Sequence, residues 1–389
     1  MMARSKKKKK ISFSLKKIVI VPLFLLNCIA AFGLLFAFLA QYIPPTWSSA
    51  VAFCGLGFIY ILAFNAIFVI LWLFIKYPYA LISLSLILLN VSNIDKHYQL
   101  KEAEKPPKCV NCIKVMSYNV KLFGLYDTEL QKLRQEKKNR IIRFISEEQP
   151  DITCFQEYFY DKSGKLNFNT TDTLLSILNL KDKNYHFEYF TANREELYYG
   201  LATFSKNKII GKGIVEMPDS SVIAIYIDFK QKNDTIRVYN CHLASIHFEY
   251  EDYEIGKQLK INSVNDPKWQ KKAKILYTKL ALAFDIRAKQ VKILKQHLNN
   301  CTHSIIVCGD LNDSPASFTY NKIAGNLKDS FRESGKGMGK TYLGEIFPNY
   351  RIDYILHDKM YKSYGHTVCS QITISDHYPV YTWISLYRN

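Results

Sequence analysis

Eight polar side chains stand where apolar, strand-like runs end. Asn119 closes IKVMSYN, Glu157 closes PDITCFQE, His242 lies in YNCHL, and Asp310 and Asn312 follow SIIVCG. Asp353 lies in RIDYIL, and Asp376 and His377 stand just ahead of PVYTW. Positions i and i+2 of a strand share a face, so Asn240 with His242, and Asp310 with Asn312, each present two polar groups together. Any one of these residues is explained as a strand-end cap or turn residue, because Asp and Asn suit turns. The whole ordered set is not. Polar groups at the ends of buried strands are costly unless they find partners, so the set reads as one shared site. Carboxylates, amides and imidazoles are the groups of hard-cation binding and acid–base work.

The elements that must position them are legible as short β-rich runs: IKVMSYNV, PDITCFQE, YYGLATFS, SVIAIYIDF, TIRVYNCHL, SIIVCGDL, YRIDYILH and PVYTWISL. Helical patterns separate some of them, as in NRIIRFISEEQ and AKILYTKLALAFDIRAKQVKILKQHL. Many strands with intervening helices predict an α/β or α+β fold with sizeable sheets. No repeat of solenoid period is visible. The 389 residues suffice for one large catalytic domain plus an anchor. Cys154, Cys241 and Cys308 sit inside apolar runs and read as packing residues. Cys109 and Cys112 form a lone CxxC; no second pair of ligands completes a zinc site, which leaves a disulfide or two free thiols.

The motifs IKVMSYNV, PDITCFQE, YYGLATFSK, YNCHLAS, VCGDLNDSP, YRIDYIL and SDHYPV, in that order, resemble those of the endonuclease/exonuclease/phosphatase superfamily. The resemblance covers residues 113–389, and GDxN followed by SDHxPV is specific in combination. It implies a four-layer α/β/β/α sandwich with the site at one edge of two packed sheets. It also implies a divalent-metal-dependent phosphoric ester hydrolase. By resemblance Glu157 is the main metal carboxylate, helped by Asn119 and Asp376, in a hard oxygen site suited to Mg²⁺ or Mn²⁺. His377 is implied as base or transition-state stabiliser, with Asp353 orienting it, and Asp310 as the other candidate base. Asn312 is implied to bind a phosphate oxygen, and His242 to protonate the leaving group. The sequence departs from the family pattern in a long polar insert between His242 and Arg287, whose part at 248–280 has no assigned role. The basic run within it (Lys271, Lys272, Lys274, Lys279) could face lipid headgroups.

Ahead of this domain the composition changes. Residues 1–17 carry eight positive charges and no acid, and residues 18–94 carry a single charge, Lys76. Residues 18–43 are long enough to cross a bilayer and too long for a signal-peptide core. A second apolar block runs from Ser48 to Ile75, after Pro44 and Pro45, and a third, Tyr79 to Val91, follows Pro78. The expected organisation is a basic cytoplasmic segment at 1–17, two or three membrane helices at 18–94, a polar linker at 95–112 and the catalytic domain at 113–389. Basic residues stay cytoplasmic. Three spans therefore place the domain outside the cytoplasm, the arrangement expected here for a bacterial inner-membrane protein, and two spans keep it inside. The partners expected are the lipid bilayer and a phosphoester, either a lipid headgroup or nucleic acid. A membrane-bound endonuclease or exonuclease is the alternative to a lipid or other extracytoplasmic phosphoesterase. A non-catalytic membrane receptor on the same fold is the third class, and the complete set of eight polar positions argues against it. The net charge of +18 leaves about +9 on residues 95–389, which fits an anionic substrate or an anionic membrane surface.

Overall fold

The computed structural model describes residues 3–100, 111–127, 130–180, 184–192, 196–232, 234–246, 267–344 and 350–386. The chain divides into two units. One comprises residues 1–95 with 316–318, and the other comprises 96–315 with 319–389.

The first unit is helical: α1 (Ala3–Leu39), α2 (Ser49–Leu56), α3 (Phe58–Ile75), α4 (Ala80–Leu89) and α5 (Val91–His97). Ile18–Leu39 and Phe58–Ile75 are each long and apolar enough to cross a membrane. Tyr77–Leu89 and Val91–His97, bent by 57° at Asn90, make a third such segment if taken as one span. Two details differ from the sequence reading. The block expected at Ser48–Ile75 is broken at Gly57 into α2 and α3, and the start of the expected linker, Asp95–His97, is helical.

A buried polar network ties three of these helices together. Asn27 on α1 donates to Ser83 Oγ on α4 at 2.6 Å, and Ser83 donates to Asn65 Oδ1 on α3 at 2.9 Å. Trp72 on α3 donates back to Asn27 Oδ1 at 2.8 Å. Asn65 closes the network on the backbone oxygens of Ala30 and Ile61. In an apolar bundle such groups must bond one another, and they fix helix register in doing so. Asn90 donates to Leu34 O at the same sequence separation of 56 as the Asn27–Ser83 pair. A constant offset along two helices means that α4 runs parallel to α1.

The second unit is built on two six-stranded sheets. The first has the order β11-β12-β1-β2-β4-β3 and the second β5-β6-β7-β8-β10-β9. The first sheet holds β1 (Cys112–Asn119), β2 (Ile152–Asp161), β3 (Tyr185–Ala192), β4 (Leu197–Ser205), β11 (Lys362–Val368) and β12 (Val380–Ser385). The second holds β5 (Ile209–Glu216), β6 (Val222–Gln231), β7 (Asp234–His242), β8 (Ser304–Asp310), β9 (Lys328–Asp329) and β10 (Asp353–His357). Each sheet has one parallel pair, β1 with β2 and β7 with β8.

Alternation along the strands explains the layers. Val115, Ile152 and Cys154 face Ile227, Val238, Ile306 and Cys308 across the space between the sheets. Met116, Tyr118 and Phe155 face the other way and pack with Ile141, Phe144 and Ile145 of α6 (Gln131–Glu148) and Leu174 of α7 (Thr170–Ile177). On the second sheet's outer side lies α8 (Pro267–Asn300), whose buried Leu280, Phe284, Ala288, Val291, Leu294 and Leu298 recur at helical spacing. The result is the four-layer α/β/β/α sandwich expected from the motifs, with Cys154, Cys241 and Cys308 buried as expected. Residues 247–266 of the insert lie outside the described residues, and its remainder forms the start of α8. The short helices α9 (Phe318–Ala324) and α10 (Ser330–Ser334) follow β8 and β9.

Candidate active site

Register places the polar residues side by side. In the second sheet His242 pairs with Asp310, and Asp310 pairs with Asp353, so the ends of β7, β8 and β10 bring three functional groups into one row. The strands approach closely there because residue 309 is glycine. Its φ is +144°, and a Cβ would stand 2.0 Å from the Cys241 carbonyl oxygen. In the first sheet Asn119 ends β1 opposite Gln156.

Glu157 reaches this group through a backbone irregularity. Simple alternation from Phe155, which faces the helices, would send Glu157 to the helical side as well. Between Phe155 and Tyr158 the register of β2 against β4 shifts, and Glu157 adopts a left-handed φ of 49°. A β-bulge sets two residues opposite one and re-aims a side chain. Here it leaves the carboxylate accepting from Asn119 Nδ2 at 3.0 Å. Bulges strip backbone groups of ladder partners. Asn240 meets that need, donating to Phe155 O and Ala202 O, both at 3.0 Å, while its Oδ1 accepts from Gln156 at 2.6 Å. Asn240 is therefore a fully buried staple between the sheets, and the expected pairing of Asn240 with His242 as two site groups is corrected accordingly.

The cluster is continuous across the two sheets. Asn119 Nδ2 also donates to Asp310 Oδ2 at 3.2 Å. His242 Nε2 lies 3.8 Å from Glu157 Oε1 and 3.7 Å from Asp310 Oδ2, buried and without a hydrogen-bond partner. His377 Nδ1 bonds Asp353 Oδ2 at 2.9 Å, and its Nε2 lies 3.7 Å from Asp310 Oδ2. Asn312, with φ of 52°, gives its backbone N–H to Asp310 Oδ1 at 2.8 Å and its amide to Leu243 O at 2.9 Å. Asp376 stands beside Lys121, with Oδ2 and Nζ 3.4 Å apart. All eight residues singled out from the sequence thus lie at one end of the sandwich, seven of them joined by contacts within 4 Å. Asp376 connects through Ser375, whose hydroxyl donates to Asn119 O and, more loosely, to Asp376 Oδ1.

Charge is unevenly distributed in this cluster. Burial opposes the His377 imidazolium, but Asp353 and Asp310 outweigh it and hold the ring's pKa up at about 10. Burial raises Asp310 to about 6; Asp353 adds to the rise, and His377, His242 and the Asn312 N–H oppose it.

Two donor sets could hold a cation. Asp310, Asp353 and His377 offer three buried atoms within 4.8 Å of one another. In that trio the imidazole lies between two carboxylates, and Asp353 Oδ1 is buried without a hydrogen-bond partner. Glu157 and Asp376 are open to solvent, their side chains 35% and 30% exposed. A hard divalent cation keeps several waters and needs such an open rim, and these two carboxylates are of a type that could hold one. The Asn119 amide is already engaged on both sides, its Nδ2 donating to Glu157 and Asp310 and its Oδ1 accepting from the Lys121 N–H at 3.0 Å, so it holds the Glu157 carboxylate at the rim.

Sequence reasoning missed four contributors. Ser375, although inside SDHYP, had no role; its hydroxyl accepts from the His377 N–H at 3.1 Å. Tyr342 packs its ring edge-on to His377, with centroids 5.2 Å apart. Arg287 is fully buried on α8; it donates to Ala244 O at 2.9 Å, close after His242, and sits 3.5 Å from Asp313. Lys121 belongs to a run of left-handed residues, Lys121, Leu122, Phe123 and Gly124, anchored by the buried Phe123. Backbone strain of this kind persists only where the surroundings enforce it. For Ser375 and Lys121 the signal available was closeness in sequence to motif residues; for Tyr342 and Arg287 there was none.

A sequence model of the "Endonuclease/Exonuclease/phosphatase family" matches residues 116–377, and a model described as a domain of unknown function matches residues 16–97. No curated protein matches the chain. Among solved structures, it is similar to an endonuclease/exonuclease/phosphatase family protein from Leptotrichia buccalis, at 19% identity over 69% of this chain and 98% of that one, TM-score 0.46. It is also similar to an endonuclease/exonuclease/phosphatase from Beutenbergia cavernae (17% identity, 71% and 72% coverage, TM-score 0.48). A third is the human Nocturnin catalytic domain with bound sulfate (19%, 70% and 94%, TM-score 0.46).

Proposed function

The chain belongs to the endonuclease/exonuclease/phosphatase family, and from that premise we propose that it is a membrane-anchored, Mg²⁺- or Mn²⁺-dependent phosphoesterase working by in-line attack of water. The supporting observation is the continuous cluster running from Glu157 and Asn119 of one sheet to His242, Asp310, Asp353 and His377 at the other.

An ion held by Glu157 and Asp376, with Asn119 holding the Glu157 carboxylate, would polarise the phosphoryl group and neutralise its charge. The protein's own groups manage the proton. An imidazole set between two carboxylates keeps its proton, so His377 is an imidazolium aimed at the charge that develops on phosphate. Asp310, 3.7 Å from it, is then the acceptor for the proton of the attacking water. Asn312, whose amide reaches Leu243 O at 2.9 Å and Asp310 Oδ2 at 3.3 Å, would bind a phosphate oxygen by exchanging the longer of these bonds. His242, across the cluster with a buried unpartnered Nε2, is the donor to the leaving group. Lys121 supplies a further cation for the substrate's free phosphate oxygens. Lys121→Met should raise KM for an anionic substrate about tenfold, the worth of one hydrogen bond to a charged group, with kcat little changed. An unchanged KM in steady-state kinetics removes Lys121 from the substrate's path.

The domain faces away from the cytoplasm in this proposal. Because α4 runs parallel to α1, the chain leaves the helical unit at the end opposite the basic N-terminus, which the positive-inside rule keeps cytoplasmic. Cys112, just beyond, is disulfide-bonded, as suits an oxidising compartment. The protein should therefore stay in the membrane pellet through a carbonate wash, and protease added to intact spheroplasts should cleave the domain. Protection until lysis would place it inside.

A tethered enzyme gains most from a substrate in or near its own membrane, hence the preference for a lipid or other extracytoplasmic phosphoester. One observation favours nucleic acid instead. A groove of about 690 Å³ is walled by Tyr160, Tyr185, Phe187, Tyr189 and Tyr198, with Lys162 and Lys212 on it, and aromatic walls with cations suit stacked bases. Purified full-length protein, assayed with and without Mg²⁺ on phospholipids, single-stranded DNA and a chromogenic phosphodiester, decides between them. Activity on none of the three overturns the proposal.

A further inference from the structure

A second polar site lies outside the candidate active site, in a groove of about 450 Å³ beside α10 and the end of β11. His366, Phe331, Met338, Lys336 and Lys340 line it. His366 is 5% exposed, and its Nε2 has no hydrogen-bond partner. Its Nδ1 lies 2.8 Å from Ser330 Oγ. Where the serine hydroxyl donates to Nδ1, Nε2 carries the ring's hydrogen and is a buried donor left unpaired, a state that costs free energy until a ligand accepts from it.

The surroundings fix what that ligand is. The acids nearby are spent on internal partners: Asp329 on Arg351 and Tyr320, and Glu333 on Ser363 and His357. Lys336 and Lys340 are exposed, and among the described residues neither has an ion-pair partner. The turn carrying them is held in place. Gly339 has φ +57°, and a Cβ there would meet the Phe331 ring at 2.4 Å; that same ring packs edge-on to His366. An N–H in a groove that two lysines line calls for an anion.

We infer that this groove binds a phosphate group, with the His366 Nε2–H and the Lys336 and Lys340 ammonium groups as its donors. The chain itself suggests a source. Gln99 exchanges both backbone hydrogen bonds with Gly337, between the two lysines' positions, and follows Asp95, the last residue of the helical unit, by only four residues. A headgroup of the membrane that residues 18–94 would enter is one such source, and free phosphate offers the same chemistry.

The test uses full-length protein labelled with ¹⁵N-histidine in nanodiscs, with chelator present. One arm adds inorganic phosphate to phosphatidylcholine nanodiscs, and the other replaces phosphatidylcholine with phosphatidylglycerol. The His366 Nε2 resonance should shift in at least one arm. A shift with phosphate alone identifies a free anion as ligand, and a shift with phosphatidylglycerol alone identifies the headgroup. In Lys336→Ala/Lys340→Ala the half-saturating ligand concentration should rise about tenfold or more, two charge-assisted hydrogen bonds being lost. Turnover of a small soluble phosphodiester by that variant should be unchanged. No shift in either arm, or an equal shift in the double variant, overturns the inference.

Discussion

His377→Ala is expected to lower turnover by roughly 10²–10⁴-fold, the usual worth of one positioned acid–base group, while the metal concentration needed for half-maximal activity stays the same. The ring is held at Nδ1 by Asp353 and faces Asp310 through Nε2. Without it no charge from this side meets the phosphate, and Asp310 and Asp353 are left as two buried carboxylates with no cation between them. Like charges so placed push one another toward the protonated form, so Asp310 also ceases to be a ready acceptor. Asp353→Asn separates the two effects. An asparagine oxygen can still accept from Nδ1–H, so the ring keeps its orientation, but the charge that holds the proton on it is gone. Turnover should fall in the same direction and by less than for His377→Ala. Thermal melts establish that each variant is folded. Wild-type turnover in a folded His377→Ala protein on its best substrate ends the assignment.

The membership of this cluster was legible in the sequence because it depends on order and on strand ends, both of which a sequence displays. Its geometry was less so. Glu157 lies in a run whose alternation places it on the wrong face, and only the bulge between Phe155 and Tyr158 turns it toward Asn119. A bulge is set by pairing with β4, a strand some forty residues away, and leaves no local mark. The same holds for Asn240, which has the parity of a site residue yet is spent on carbonyls of the opposite sheet. The layers were readable from α6 and α8, whose apolar spacing is helical over several turns. The break at Gly57 was not, because an uninterrupted apolar run reads alike with or without it. Lys121 was hidden for another reason: its place depends on three left-handed residues after it, and nothing in the letters KLFG specifies that conformation.

The second large effect concerns the cation. Activity should vanish with a chelator and return with Mg²⁺ or Mn²⁺. Glu157→Gln should raise the half-saturating metal concentration by more than the roughly 10–100-fold lost when a ligand forfeits only a hydrogen-bonding neighbour, because a full negative charge leaves the site. The substitution is chosen for shape. A glutamine oxygen can still accept from Asn119 Nδ2, so the bulge and the Asn240 staple that supports it need not change. Turnover at saturating metal should therefore recover much of its wild-type value, in contrast to His377→Ala, whose loss no metal concentration restores. Asp376→Asn should shift metal demand in the same direction and by less, since the Asp376 charge is already shared with Lys121 at 3.4 Å. Direct titration with Mn²⁺, followed by electron paramagnetic resonance, reads the same order without relying on catalysis. If Glu157→Gln instead bound Mn²⁺ as tightly as the wild type while Asp353→Asn lost it, the cation would belong with the buried trio of Asp310, Asp353 and His377, and the roles of the two halves of the cluster would be exchanged.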